Sequence, residues 1–148
     1  MALILQIDNT KDMKRFLLIP ISIIGLFFFS ACETGAQTET GQIVEVDVNQ
    51  AEDLIAEGGI QLVDVRTKGE VFQGYIGGAQ HIDFMQWDAF TEEVKNLDKS
   101  QPVMVYCKVG GRSHKAAVYL TENGFEKVYD IKGGIDAWNR EGKTLTTD

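Results

Sequence analysis

The sequence predicts an α/β fold: one domain built on a central parallel sheet of five strands, with helices on both faces. Three observations carry this expectation. Short apolar runs rich in β-branched residues alternate with segments of helical spacing. The chain of 148 residues shows no internal repeat, which suits a single domain. Finally, a buried-strand pattern at Val103 to Tyr106 runs through a glycine-containing turn into an Ala-rich helix, so its polar residues fall at a strand's carboxyl end, where such sheets place their sites.

Taken in order, the first 31 residues read as an export signal. Lys11, Lys14 and Arg15 precede the apolar run Phe16 to Phe29, which at 14 residues is short for a membrane span of about 20. An uncleaved anchor is the alternative. Met13-Lys14-Arg15 is the more typical signal start, so residues 1–12 read as an over-extended frame. Ser30-Ala31-Cys32 is similar to a bacterial lipobox and marks Cys32 as a lipidation candidate, the alternative being ordinary cleavage that leaves a free thiol. The expected location is outside a bacterial cytoplasm, periplasmic or at the cell surface, with any membrane attachment made through lipid on Cys32. Residues 32–42 hold no large apolar side chain after the cysteine and read as a flexible tether. Residues 43–148 form the folded domain.

Within that domain Ile43 to Val48 alternates as a first strand, and Asn49 is placed to cap a helix from Gln50 to Glu57 with Glu52 at its third position. Gln61 to Val65 is a second strand leading into Asp64-Val65-Arg66, and Glu70 to Gln73 a short helix. Arg66 and Glu70 are spaced to pair on one helical turn. His81 lies in a strand-like stretch. Asp83 is placed to cap one helix from Phe84 to Leu97, whose Met85, Trp87, Phe90, Val94 and Leu97 recur at helical spacing and read as core or core rim. Ser113 opens the next helix, which stops at Asn123-Gly124, and Phe125 to Ile131 is the last strand.

The chemistry concentrates at Cys107. A tight turn feeding a helix N-terminus gathers backbone N–H groups into one concavity, and Gly110 and Gly111 permit the positive φ values that such a nest uses. Together with the charges of Lys108 and Arg112, this concavity favours the thiolate, moving a cysteine from about 8.5 into roughly the 3.5–7.5 range. Cys107 is therefore the expected nucleophile, and Lys108, Val109, Gly110, Gly111, Arg112 and Ser113 its substrate-binding loop. One such cysteine and two scattered histidines, His81 and His114, offer no metal-ligand spacing.

Cys107 to Arg112 is Cys-x4-Arg, one residue shorter than the phosphatase signature Cys-x5-Arg. Cys107-Lys108-Val109-Gly110-Gly111-Arg112-Ser113 resembles the six-residue active-site loop of single-domain rhodaneses, the thiosulfate sulfurtransferases. Asp64-Val65-Arg66, Glu70, Phe72, Gly74-Tyr75-Ile76-Gly77-Gly78-Ala79 and Gly133-Gly134-Ile135-Asp136-Ala137-Trp138 are similar to further stretches of that family. The resemblance runs from Ile43 to about Leu145. It implies a rhodanese-like fold and a Cys107 that carries sulfur as a persulfide, with no bound cofactor. Asp64, Arg66 and Glu70 are implied as structural neighbours of the site.

Charge narrows the partners. The chain has 14 basic and 22 acidic residues; two acids and three bases precede Cys32, so 11 basic and 20 acidic remain beyond it, a net of −9. That balance argues against nucleic acid and against anionic lipid bound through a basic face. A small sulfur-containing donor and a thiophilic acceptor are the implied partners. Two alternatives stay open: a sulfur-carrier module exchanging persulfide sulfur with a protein, and, disfavoured by loop length, a phosphatase or arsenate reductase.

Overall fold

The computed structural model describes residues 41–147. The export segment, Cys32 and nearly all of the tether lie outside the described residues. The elements are β1 (Gln42–Val46), α1 (Val48–Glu57), β2 (Gln61–Asp64), α2 (Lys68–Val71), β3 (Gln80–His81), α3 (Trp87–Glu93), a 3-10 turn (Val94–Asn96), β4 (Val103–Tyr106), α4 (Gly111–Glu122), β5 (Lys127–Ile131) and α5 (Gly134–Arg140). All strands are parallel, in the order β1-β5-β4-β2-β3. Every residue of central strand β4 is buried.

Strand alternation splits the core into two layers. Val63, Val103, Val105 and Val128 point to one face, where Phe90 of α3 and Ala116, Ala117 and Leu120 of α4 cover them. Leu62, Met104, Tyr106 and Ile131 point to the other, beneath Ala51 of α1 and Ile135 and Trp138 of α5. Ala116 and Ala117 have no exposed surface. Small residues there bring α4 close to the sheet, so its first turn comes down beside the end of β4.

Several boundaries differ from the sequence reading. Helix α1 starts at Val48, and its cap is Asp47 in place of Asn49. The Asp47 carboxylate accepts the Gln50 N–H at 2.9 Å while the Gln50 side chain accepts the Asp47 N–H at 3.0 Å, a reciprocal box. Glu52 therefore falls past the first turn. Val48 is buried and anchors the helix, so β1 ends two residues earlier than expected. Helix α2 likewise begins earlier, because Thr67 and Glu70 form a second capping box.

The single helix expected from Phe84 to Leu97 is a turn, a seven-residue helix and a 3-10 turn. The Asp83 carboxylate accepts the Met85 N–H at 2.9 Å and so caps the preceding turn only. Helical spacing correctly assigns Phe90, Val94 and Leu97 to the core, but Met85 is 61% exposed and Trp87 46% exposed. Met85 precedes the helix and does not share its apolar face. Phe84 takes the core-rim place, with Trp87 edge-on to it at 5.5 Å. Phe125, expected in β5, instead closes the end of α4 through its N–H to the Leu120 carbonyl.

Candidate active site

Cys107 follows β4 directly, 1% exposed, with its side chain on the α3 and α4 face. The chain then turns through Lys108, Val109 and Gly110 into α4. Gly110 has φ of 106°, which only glycine adopts without strain, and it carries its N–H to 3.1 Å from Cys107 Sγ. Gly111 lies inside the helix and is not among the positive-φ glycines, so one glycine and not two supplies the left-handed turn.

Burial is the largest influence on the Cys107 thiol and pushes it up. The Ser113 N–H and hydroxyl and the N–H groups of Gly110 and Val109 together outweigh burial, and the thiol ends below its ordinary value. The geometry thus aims a ring of donors at one sulfur. A second sulfur attached there with a negative charge meets the same helix N-terminus.

What turns those donors inward is on the far side of the loop. The Cys107 carbonyl accepts the Ile135 N–H at 2.9 Å and the Lys108 carbonyl the Asp136 N–H at 3.1 Å, so the start of α5 holds both carbonyls away from the sulfur. Gly134 makes this approach possible: a Cβ there would lie 2.3 Å from the Cys107 oxygen and 2.7 Å from that of Lys108. In the sequence Gly133-Gly134 stands out only through the family resemblance; the local signal is a glycine doublet after a buried strand.

Of the two cations expected beside the sulfur, Arg112 faces it and also holds a carboxylate. Arg112 grips Glu70 through two bonds, Nη1 to Oε2 at 2.8 Å and Nη2 to Oε1 at 2.7 Å. The thiolate adds to what raises the Arg112 pKa, so this guanidinium faces both anions. The Lys108 ammonium is 60% exposed and lies 4.0 Å from Asp136. Stabilisation of the thiolate therefore comes first from N–H groups and the Ser113 hydroxyl.

Arg66 does not pair with the Glu70 carboxylate. It turns back onto Asp64, with Nε 2.9 Å from Oδ1 and Nη2 2.6 Å from Oδ2, both side chains buried. The remaining donors reach the carbonyls of Gly74 at 2.8 Å and Glu70 at 3.3 Å. The Tyr106 hydroxyl accepts the Ile76 N–H at 3.0 Å, and burial raises its pKa. Asp64, Arg66 and Tyr106 thus staple segment 70–76 to the sheet, which positions Glu70 for Arg112. His81 also has a structural partner, its Nε2 lying 2.8 Å from the Arg66 carbonyl oxygen. Among the described residues, no group of three or more His, Cys, Asp or Glu could hold a metal ion.

The Glu70 link has a pH signature. Its bonds to Arg112 lead, with Thr67 assisting, in holding the carboxyl at about 2 against an ordinary 4.5. A carboxyl depressed on folding stabilises the protein above its ordinary pKa, and that contribution is lost as pH falls from 4.5 toward about 2. Glu70→Gln is expected to cost about 1–2 kcal/mol at neutral pH, a charged hydrogen bond discounted for partial exposure. Urea unfolding should show the difference from the parent shrinking through that acid window. An offset unchanged at pH near 2 would refute the pairing.

Comparison with known proteins fits this geometry. Residues 47–141 match the model of the rhodanese-like domain. The chain is similar to the thiosulfate sulfurtransferase GlpE of Actinobacillus pleuropneumoniae, 35% identical over 103 residues, which are 70% of this chain and 93% of that relative. Among solved structures it is similar to a rhodanese-like domain protein from Staphylococcus aureus, with TM-score 0.61 and 30% identity, covering 70% of this chain and 97% of the other. The polysulfide-sulfur transferase homodimer of Wolinella succinogenes gives TM-score 0.61 at 29% identity, covering 72% and 80%. A five-stranded parallel sheet with a buried cysteine in a six-residue loop, read with a family match over most of the folded domain, has one conclusion: the chain belongs to the rhodanese-like domain family.

Proposed function

We propose that the protein is a sulfurtransferase that moves sulfane sulfur from a donor such as thiosulfate to a thiophilic acceptor such as cyanide or a thiol, through a persulfide on Cys107. The observation that carries this is the cluster of donors on the Cys107 sulfur, the Gly110 N–H at 3.1 Å together with the Ser113 N–H and hydroxyl, in a loop one residue shorter than a phosphate-binding one. The thiolate attacks the outer sulfur of thiosulfate, whose S–S bond breaks with its electron pair leaving on sulfite. The new Cys107–S–S⁻ group carries its charge into the loop. The acceptor then attacks the outer sulfur, and the electron pair of the breaking bond returns to Cys107. No cofactor or outside oxidant enters this cycle.

The similarity to a thiosulfate sulfurtransferase supports the donor class. A protein acceptor is a second reading, favoured by exposed apolar side chains in three connections that follow strands: Phe72 after β2, Met85 and Trp87 after β3, and Val109 in the site loop after β4. We place the site of action outside the bacterial cytoplasm, on the strength of the pattern from Lys11 to Cys32. Intact mass spectrometry tests the chemistry. Incubation with thiosulfate should add one sulfur atom, and cyanide should remove it. Hydrolysis of an aryl phosphate with no mass gain from thiosulfate would replace the sulfurtransferase reading with the phosphatase one.

A further inference from the structure

Asp130 is a buried acid that the sulfur cycle above does not use. It lies near the carboxyl end of β5, 5% exposed, and its Oδ1 has no hydrogen-bond partner among the described residues. Strand register puts Val105 of β4 beside it on one side and Glu45 of β1 on the other. The first turn of α4 covers it, with His114 Nδ1 3.7 Å from its Oδ2 and the Ser113 hydroxyl a further polar neighbour. That same hydroxyl faces the Cys107 sulfur and donates to the Gly110 carbonyl at 3.1 Å.

A serine hydroxyl has a single proton to donate. Here it has three competing acceptors: the anionic sulfur, the Gly110 carbonyl and the Asp130 carboxylate. We infer that Asp130 is a positioning residue for the sulfur chemistry, its protonation state deciding through Ser113 whether that hydroxyl donates to the Cys107 sulfur. When Asp130 is neutral its own O–H can donate to Ser113, leaving the serine proton for the sulfur. When Asp130 loses its proton to solvent, past the largely exposed His114 imidazole, the carboxylate draws the serine proton to itself. The thiolate then loses a donor.

The surrounding groups set the balance. Burial comes first and raises the Asp130 pKa; Ser113 and His114 lower it and Glu45 raises it. The Glu45 carboxylate is itself held by Lys132 at 3.0 Å. Burial thus raises Asp130 while the loop donors lower Cys107, and the Ser113 hydroxyl is a neighbour of both groups.

This inference rests on Cys107 being the reactive sulfur, but both of its tests read proton binding without a sulfur donor, so they are separate from persulfide formation. The first is the ultraviolet thiolate titration of Cys107. Asp130→Asn, neutral at every pH, is expected to lower the midpoint by roughly half to one pH unit. In a Ser113→Ala background the same substitution should do nothing. An unchanged midpoint in Asp130→Asn, or an equal shift without the serine hydroxyl, would overturn the inference. The second needs no variant at Asp130 and covers the case in which that one fails to fold. Linkage is reciprocal, so capping Cys107 with iodoacetamide frees Ser113 for the carboxylate and should lower the Asp130 midpoint, followed by carbon-13 NMR of the parent, by a similar amount. No change on capping would refute the connection.

Discussion

Cys107→Ser is expected to leave the protein folded while abolishing the gain of a sulfur atom from thiosulfate and lowering sulfur transfer at least about a thousandfold. The substitution changes one atom in a residue that is 1% exposed, so packing is nearly preserved. Loop, helix N-terminus and donors all remain. What disappears is an atom that can ionise in this setting, since hydroxyls remain protonated where a hydrogen-bonded thiol does not. Residual transfer within tenfold of the parent would show that Cys107 does not carry the sulfur.

The same variant has a stability signature with a definite sign. The Cys107 pKa is lowered by the loop donors, so folding stabilises the thiolate relative to the unfolded chain. That contribution is fully present above the unfolded value of about 8.5 and is lost as pH falls through the lower, folded-state value. Parent and Cys107→Ser should therefore have similar urea midpoints in mild acid and diverge in alkali, with the parent more stable. Divergence in the opposite direction would mean that the loop favours the thiol.

How far the sequence disclosed this site depends on the range of the interactions. The β-branched run of β4, the cysteine after it and the Ala-rich helix beyond are local features, and all were legible. Phe90, Val94 and Leu97 were legible too, because helical spacing survives even where a helix gives way to a 3-10 turn. Choices among partners were not. Arg66 sits two residues from Asp64 and four from Glu70, and spacing favours the second only if residues 66–70 are one helix. The chain is still extended at Thr67, so Arg66 folds back onto Asp64 and Glu70 is left for Arg112, 42 positions away. The role of Asp130 was equally hidden, since it depends on which helix turn covers the end of β5. The readings on export and lipidation concern residues outside the described ones.

Gly134→Ala carries the other large expected effect. Any L side chain there faces two separate costs. At φ of +56° the backbone lies in the left-handed region, which costs roughly 1–3 kcal/mol for a residue with a Cβ. The Cβ would also sit 2.3 Å from the Cys107 carbonyl oxygen, so either α5 or the site loop must move. Movement weakens the bonds from Ile135 and Asp136 to the loop carbonyls, each contributing about 0.5–1.5 kcal/mol, and lets those carbonyls turn toward the sulfur. Gly142, beyond the opposite end of α5, has φ of +72° and open space around its Cβ position, so Gly142→Ala isolates the backbone cost. Gly142→Ala should lose that backbone cost alone and retain full persulfide formation. Gly134→Ala should lose about 3 kcal/mol or more and slow persulfide formation about a hundredfold, because a displaced donor ring no longer fits the anion it serves. Cys107 should also titrate higher in the folded fraction. Matching stability losses in the two variants, with persulfide formation intact in both, would show that α5 does not hold the loop.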